Sequence, residues 1–154
     1  MRVSLIALVL SLTAVSVSAH VMVSPPQSKA GESQKYELRV HNEEKLATTE
    51  VDLQIPAGVE VVSVGTAPAG STYTTAKTGD RITALKWTVS VGPQKYLALT
   101  FTAKNPSTAQ DLQWVVRATF TDGSVAEWSD KPGAEKASVT RLTGGIVDGA
   151  QSHR

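Results

Sequence analysis

Apolar residues in this chain alternate with polar ones over short runs, and the runs stop at Gly, Pro, Asn or Asp. A period of two puts every second side chain on a common face, which is the pattern of a half-buried strand. Residues 34–41 place Tyr36, Leu38 and Val40 on one face, and residues 49–55 do the same with Val51, Leu53 and Ile55. Pro56-Ala57-Gly58 breaks that run, and residues 59–64 follow as a short strand. Residues 81–91 hold Ile82 and then, one step out of phase, Leu85, Trp87, Val89 and Val91. That slip predicts a bulge or bend between Ile82 and Leu85. Residues 96–103 carry Leu97, Leu99 and Phe101 and close at Asn105-Pro106. Residues 113–121 set Val116, Ala118 and Phe120 against Val115, Arg117 and Thr119. Asp122-Gly123 then predicts a hairpin that pairs residues 112–121 with residues 125–128. Residues 137–142 read as the last strand. Nowhere do apolar residues keep helical spacing for three turns. The expectation is an all-β chain, a β-sandwich of about eight or nine strands with Trp87 and Trp114 in its core.

The first 19 residues follow a different rule and read as a secretory signal peptide. Arg2 supplies the positive start, Leu5 to Val15 the apolar run, and Val17-Ser18-Ala19 the small residues of a cleavage site. The run is too short for a stable membrane span, and no later stretch approaches the roughly 20 apolar residues that a spanning helix needs. Cleavage between Ala19 and His20 is expected to leave 135 of the 154 residues. Residues 20–143 would form the sandwich, and residues 144–154 a weakly patterned, mobile tail. The mature protein is expected in the periplasm or outside the cell.

Composition removes several classes of chemistry. There is no cysteine, so disulfides, thiolate metal sites, a cysteine nucleophile and a blue-copper centre are excluded. The chain has 15 Lys+Arg against 14 Asp+Glu, and losing Arg2 leaves 14 against 14. With no basic block, a nucleic-acid partner is not expected. Nucleophile-elbow, P-loop and dinucleotide patterns are absent, as is the spaced Cys/His pattern of zinc sites.

What cleavage creates is a free α-amine on His20. That amine and the ring Nδ1 can close one chelate ring on a metal ion. An α-amine titrates at about 7.7–8.0, so freeing it for a metal costs little near neutral pH. Amine and imidazole nitrogens suit Cu(II) best among common divalent ions. The segment His20-Val21-Met22-Val23-Ser24-Pro25-Pro26 alternates and stops at the prolines, so an edge strand would hold His20 at a sheet border. Two nitrogens do not complete a site. His41 could reach His20 only if their strand ends adjoin, and His153 lies in the tail. Met22 occupies the third mature position, where a common amino-terminal motif carries histidine. Asp122, Glu127 and Asp130 supply carboxylates around the hairpin. Glu127 and Trp128 are neighbours, so in a regular strand they face opposite sides. The plain alternatives are a solvated charge for Glu127 and core packing for Trp128.

Ala19-His20-Val21-Met22-Val23-Ser24-Pro25 resembles the processing site of the YcnI-like copper-binding domain family. Ala47-Thr48-Thr49-Glu50-Val51, Ile55-Pro56-Ala57-Gly58-Val59, Phe101-Thr102-Ala103-Lys104-Asn105-Pro106 and Asp122-Gly123-Ser124-Val125-Ala126-Glu127-Trp128 extend that resemblance along most of the mature chain. It implies a cupredoxin-like, immunoglobulin-like β-sandwich. It also implies Cu(II) held by a single-histidine brace with a carboxylate ligand and a nearby tryptophan. His20 matches the brace histidine and Trp128 the tryptophan. Glu127 is taken as the carboxylate, with Asp122 in reserve. Some relatives carry a longer tail with a membrane anchor, which is not expected here. The implied function is an exported, non-catalytic Cu(II)-binding protein that buffers copper or hands it to a membrane copper transporter or another copper carrier. The rival functions are an oxidative, monooxygenase-like copper enzyme and a metal-free β-sandwich interaction module. The enzyme reading usually needs a second brace histidine.

Overall fold

Facing sheets are the way a chain of half-buried strands hides its apolar face. The computed structural model describes residues 20–145. The leader, the tail beyond Gly145 and His153 lie outside the described residues. One sheet runs in the order β1 (Val21–Ser24), β3 (Ser33–Asn42), β8 (Lys95–Lys104) and β5 (Glu60–Val64). The second runs β11 (Val125–Trp128), β10 (Val116–Phe120), β4 (Thr48–Gln54), β7 (Arg81–Val91) and β6 (Thr72–Thr78). A three-stranded sheet adds β2 (Gln27–Lys29), β12 (Ser138–Thr143) and β9 (Asp111–Trp114). Pairing in the two large sheets is antiparallel, and β2 with β12 is parallel. Among the described residues, no helix is long and apolar enough to cross a membrane.

Every run with clear alternation is a strand. The described residues form twelve strands where the sequence predicts eight or nine, and the difference has physical causes. β6 is exposed along its whole length and pairs only with β7, so no buried face imposes alternation on its sequence. β2 is three residues long. The expected strand over 113–121 is cut at Val115, so that β9 pairs with β12 while β10 pairs with β4 and β11. A strand that changes sheets in this way forms a corner of a sandwich. The phase slip in β7 is a bulge: Ala76 pairs with Ala84 and Lys77 with Ile82, leaving Thr83 without an opposite residue.

Inner residues of the large sheets share one core that includes Leu38 and Leu99 from one and Val51 and Leu85 from the other. Three of its aromatic rings pack against one another. Tyr36 stacks on Phe101 at 5.5 Å and meets Trp114 at 5.0 Å, while Phe101 and Trp114 pack edge to face at 5.7 Å. Their polar atoms are satisfied, as buried polar groups must be. The Tyr36 hydroxyl donates to Asn105 Oδ1 at 2.6 Å. The Trp114 indole N–H donates to Thr140 Oγ1 at 3.0 Å, and that hydroxyl donates to the Pro25 carbonyl at 2.8 Å. The Val23 N–H donates to Ser138 Oγ at 2.9 Å. β1 is thus an edge strand fastened on one side by its ladder with β3 and on the other by hydroxyls of β12.

Candidate metal centre

His20 stands at the head of β1. Its carbonyl accepts the His41 N–H at 2.8 Å, continuing the ladder in which Val21 faces Val40. The backbone is therefore fixed while the ring is open, with 80% of the side chain exposed. The strand ends of His20 and His41 do adjoin. The His41 ring is engaged with Tyr96, its neighbour on β8, in a near-parallel stack at 5.5 Å. The carboxylate beside His20 is that of Glu43, with Oε1 3.9 Å from Nε2. Met22 projects from β1 into solvent.

The hairpin forms as its Asp-Gly pair predicts, with a particular turn. The Phe120 carbonyl accepts the Gly123 N–H at 2.9 Å, and the Phe120 N–H donates to the Ser124 carbonyl at 2.9 Å. Gly123 has φ of 82°, so the loop is a turn followed by a left-handed glycine bulge. Asp122 accepts the Ser124 N–H at 2.9 Å and the Ser124 hydroxyl at 2.5 Å. These bonds hold its carboxyl below the usual aspartate range. Its chemistry is that of a turn residue.

Glu127 and Trp128 sit in regular ladder positions opposite Arg117 and Val116. They face opposite sides, as adjacent strand residues do. Trp128 points inward and joins the core. Glu127 points outward into a set of partners. It accepts the Ser129 hydroxyl at 2.9 Å, pairs with Arg117 Nε at 3.1 Å and has Lys131 Nζ at 3.4 Å. The Ser129 hydrogen bond, then the Arg117 and Lys131 charges, hold its carboxyl below the usual glutamate range. A depressed carboxyl pKa favours folding above the unfolded value of about 4.3 and loses that contribution as pH falls through the folded value. In a carbon-detected NMR titration, Glu127 is therefore expected to titrate below about 4.3, and Ser129→Ala to move it upward. A midpoint above that value would contradict the network.

Two clefts meet on this side of the molecule. One, of about 900 Å³, runs from Glu43 and Leu46 to Phe120 and Val125. The other, of about 400 Å³, lies between Glu127 and the segment from Lys131 to Glu135. Among the described residues, no three His, Cys, Asp or Glu side chains stand close enough to share a metal ion. An α-amine at His20 would be a donor outside that set. Glu43 carried no signal in the sequence, because an acidic residue in a polar loop has no spacing that marks it.

Comparison with known proteins agrees with this architecture. A protein of Nocardia farcinica with an immunoglobulin-like fold superposes with a TM-score of 0.68 at 23% identity, over 81% of this chain and 99% of that one. A non-cellulosomal cohesin from Archaeoglobus fulgidus superposes with a TM-score of 0.50 at 12% identity, over 82% of this chain and 91% of that one. Both likenesses concern the immunoglobulin-like sandwich alone. In sequence, the chain is 34% identical over 130 residues to the copper-binding protein CutI of Bacillus subtilis (strain 168), covering 82% of this chain and 63% of that protein. The chain thus spans less than two thirds of the length of that relative. The family model described as Domain of unknown function (DUF1775) matches residues 20–142, beginning at His20 itself. With that match over most of its length and the relationship to CutI, the chain belongs to the DUF1775 family, the YcnI-like domains that its amino-terminal and hairpin motifs resemble.

Proposed function

We propose that this protein is exported, cleaved between Ala19 and His20, and binds Cu(II) as cargo at its new amino terminus. The observation that carries the reading is the placement of His20. Its backbone is pinned in the first ladder position and its ring is open to solvent, in a family that includes a protein named for copper binding. The α-amine and Nδ1 of His20 are the chelating pair. Glu127 is the carboxylate assigned to the metal, with Asp122 in reserve; Trp128, the tryptophan assigned near the metal, follows Glu127 in β11 but faces the core. Glu127 meets one requirement of a ligand, since a glutamate carboxyl is ionised near neutral pH. To ligate, it must exchange Ser129, Arg117 and Lys131 for the metal. The role is carriage rather than catalysis, in the periplasm or outside the cell, with delivery to a membrane copper transporter or another carrier. An exposed site with one histidine leaves coordination positions for a partner to enter.

The test begins with mass spectrometry of the exported protein to locate its first residue, followed by Cu(II) titration with electron paramagnetic resonance. One-to-one binding by a chain that starts at His20, with a spectrum altered by Glu127→Gln, is the expected result. Absence of binding in that form would overturn the reading. An oxidative enzyme remains the second reading because His41 adjoins His20 along the backbone. It requires His41→Ala to abolish copper binding, whereas the carrier reading expects binding to survive.

A further inference from the structure

We infer that Glu43 is the positioning residue of the His20 imidazole, its carboxylate drawing Nε2–H to itself and so turning Nδ1 toward the α-amine as the chelating nitrogen. This rests on the His20 reading above and adds a residue that the sequence motifs do not mark.

The geometry starts from the two backbones. The His20 carbonyl accepts the His41 N–H at 2.8 Å, which fixes the imidazole-bearing residue against the end of β3. Glu43 follows two residues later, where β3 gives way to the loop before β4. That loop is built around Asn42, which is fully buried. The Asn42 side-chain amide donates to the Leu46 carbonyl and to the Val91 carbonyl, both at 2.8 Å. Its side-chain oxygen accepts the Glu44 N–H at 2.9 Å, and its backbone carbonyl accepts the Gln94 N–H at 2.7 Å. Four hydrogen bonds thus hold the stem on which Glu43 stands. The Glu43 side chain is only 24% exposed, and its Oε1 lies 3.9 Å from His20 Nε2. That separation is within ion-pair reach of a protonated ring and longer than a hydrogen bond, so the two side chains must close on each other for Glu43 to accept from Nε2–H.

The chemistry follows from the imidazole. A neutral ring carries one N–H, and the bond made at one nitrogen determines which lone pair remains at the other. A carboxylate at Nε2 selects the Nε2–H form and leaves the Nδ1 lone pair free. Nδ1 is the nitrogen near enough to the residue's own α-amine to share a metal with it. Carboxylates that accept the outer N–H of a metal-bound histidine orient the ring and raise its basicity. The other carboxylates do not serve this purpose as placed. Glu127 is engaged by Ser129, Arg117 and Lys131, and Glu44 is exposed. The His41 ring is stacked on Tyr96.

The experiment uses protein that starts at His20, in its native form and as Glu43→Ala, Glu43→Gln and Glu44→Ala. In metal-free protein at a pH where the ring is neutral, nitrogen NMR shifts should show the Nε2–H form dominant in the native protein and mixed in Glu43→Ala. Cu(II) affinity should fall by about 10- to 100-fold in Glu43→Ala, with altered nitrogen hyperfine structure. Glu43→Gln should fall between, because its amide oxygen still accepts, and Glu44→Ala should match the native protein. Thermal melts confirm that each variant is folded. If native protein binds copper and Glu43→Ala matches it in tautomer and affinity, the assignment of Glu43 is overturned while His20 stands. If native protein binds no copper yet the tautomer shifts in Glu43→Ala, His20 is lost as a copper site and Glu43 keeps its hold on the ring.

Discussion

A single glycine placed ahead of His20 is expected to weaken Cu(II) binding by roughly a hundredfold or more. The second donor of a chelate acts at a high effective concentration once the first has bound, and losing it forfeits that gain. In the extended form the α-amine becomes an amide nitrogen, which is no longer a free amine donor, while the imidazole is untouched. The fold provides the control. His20 immediately precedes β1 and its ring is exposed, so the core is untouched by the extension and the melting temperature should hardly change. Falling pH should release copper from the native form, because amine and imidazole must both be free of protons to coordinate. Competition titrations of the two forms, with their spectra, read the outcome directly. Equal affinity in both would remove the amine from the site.

The second large effect belongs to the core. Trp114→Ala is expected to destabilise the protein by about 3–5 kcal/mol, the usual cost of emptying a buried aromatic site. Trp114 is fully buried, touches both Tyr36 and Phe101, and donates to Thr140. Removing it opens a cavity beside two rings and leaves the Thr140 hydroxyl without its donor. Since about 1 kcal/mol shifts the melting temperature by roughly 3–6 °C in a domain of this size, the melt should fall by more than about 10 °C. Trp114→Phe keeps most of the ring volume and loses the N–H, so it should cost about 1–2 kcal/mol. The consequence should extend to β1, because Thr140 also binds the Pro25 carbonyl. Faster amide exchange at Val23 in both variants would register it. A loss below about 1 kcal/mol in Trp114→Ala would show that the site collapses without a cavity.

Strands with one buried face were legible because burial itself writes the alternation. Tyr36, Leu38 and Val40 are inward and fully buried, as the period of two requires. The bulge at Thr83 was legible for the same reason, as a break in phase between Ile82 and Leu85. β6 was not, since Thr72 to Thr78 face solvent on both sides and only pairing with β7 makes them a strand. The division at Val115 left no trace either. The residues keep alternating through it, and the change of sheet is decided by β12 and β4, which are distant in sequence. Among the candidate site residues, the opposed faces of Glu127 and Trp128 follow from adjacency alone. The approach of Glu43 to His20 does not, because it depends on a buried asparagine that shapes a loop.

The anchoring of β1 also sets an order of events. β1 and the proline that follows it are secured by bonds to Ser138 and Thr140, made by Val23 and Pro25 across 115 positions of sequence. Those partners leave the ribosome well after β1 does. β1 is therefore synthesised before its anchors and completed only with them. Whatever β1 helps to hold meets its finished geometry only after β12 has arrived.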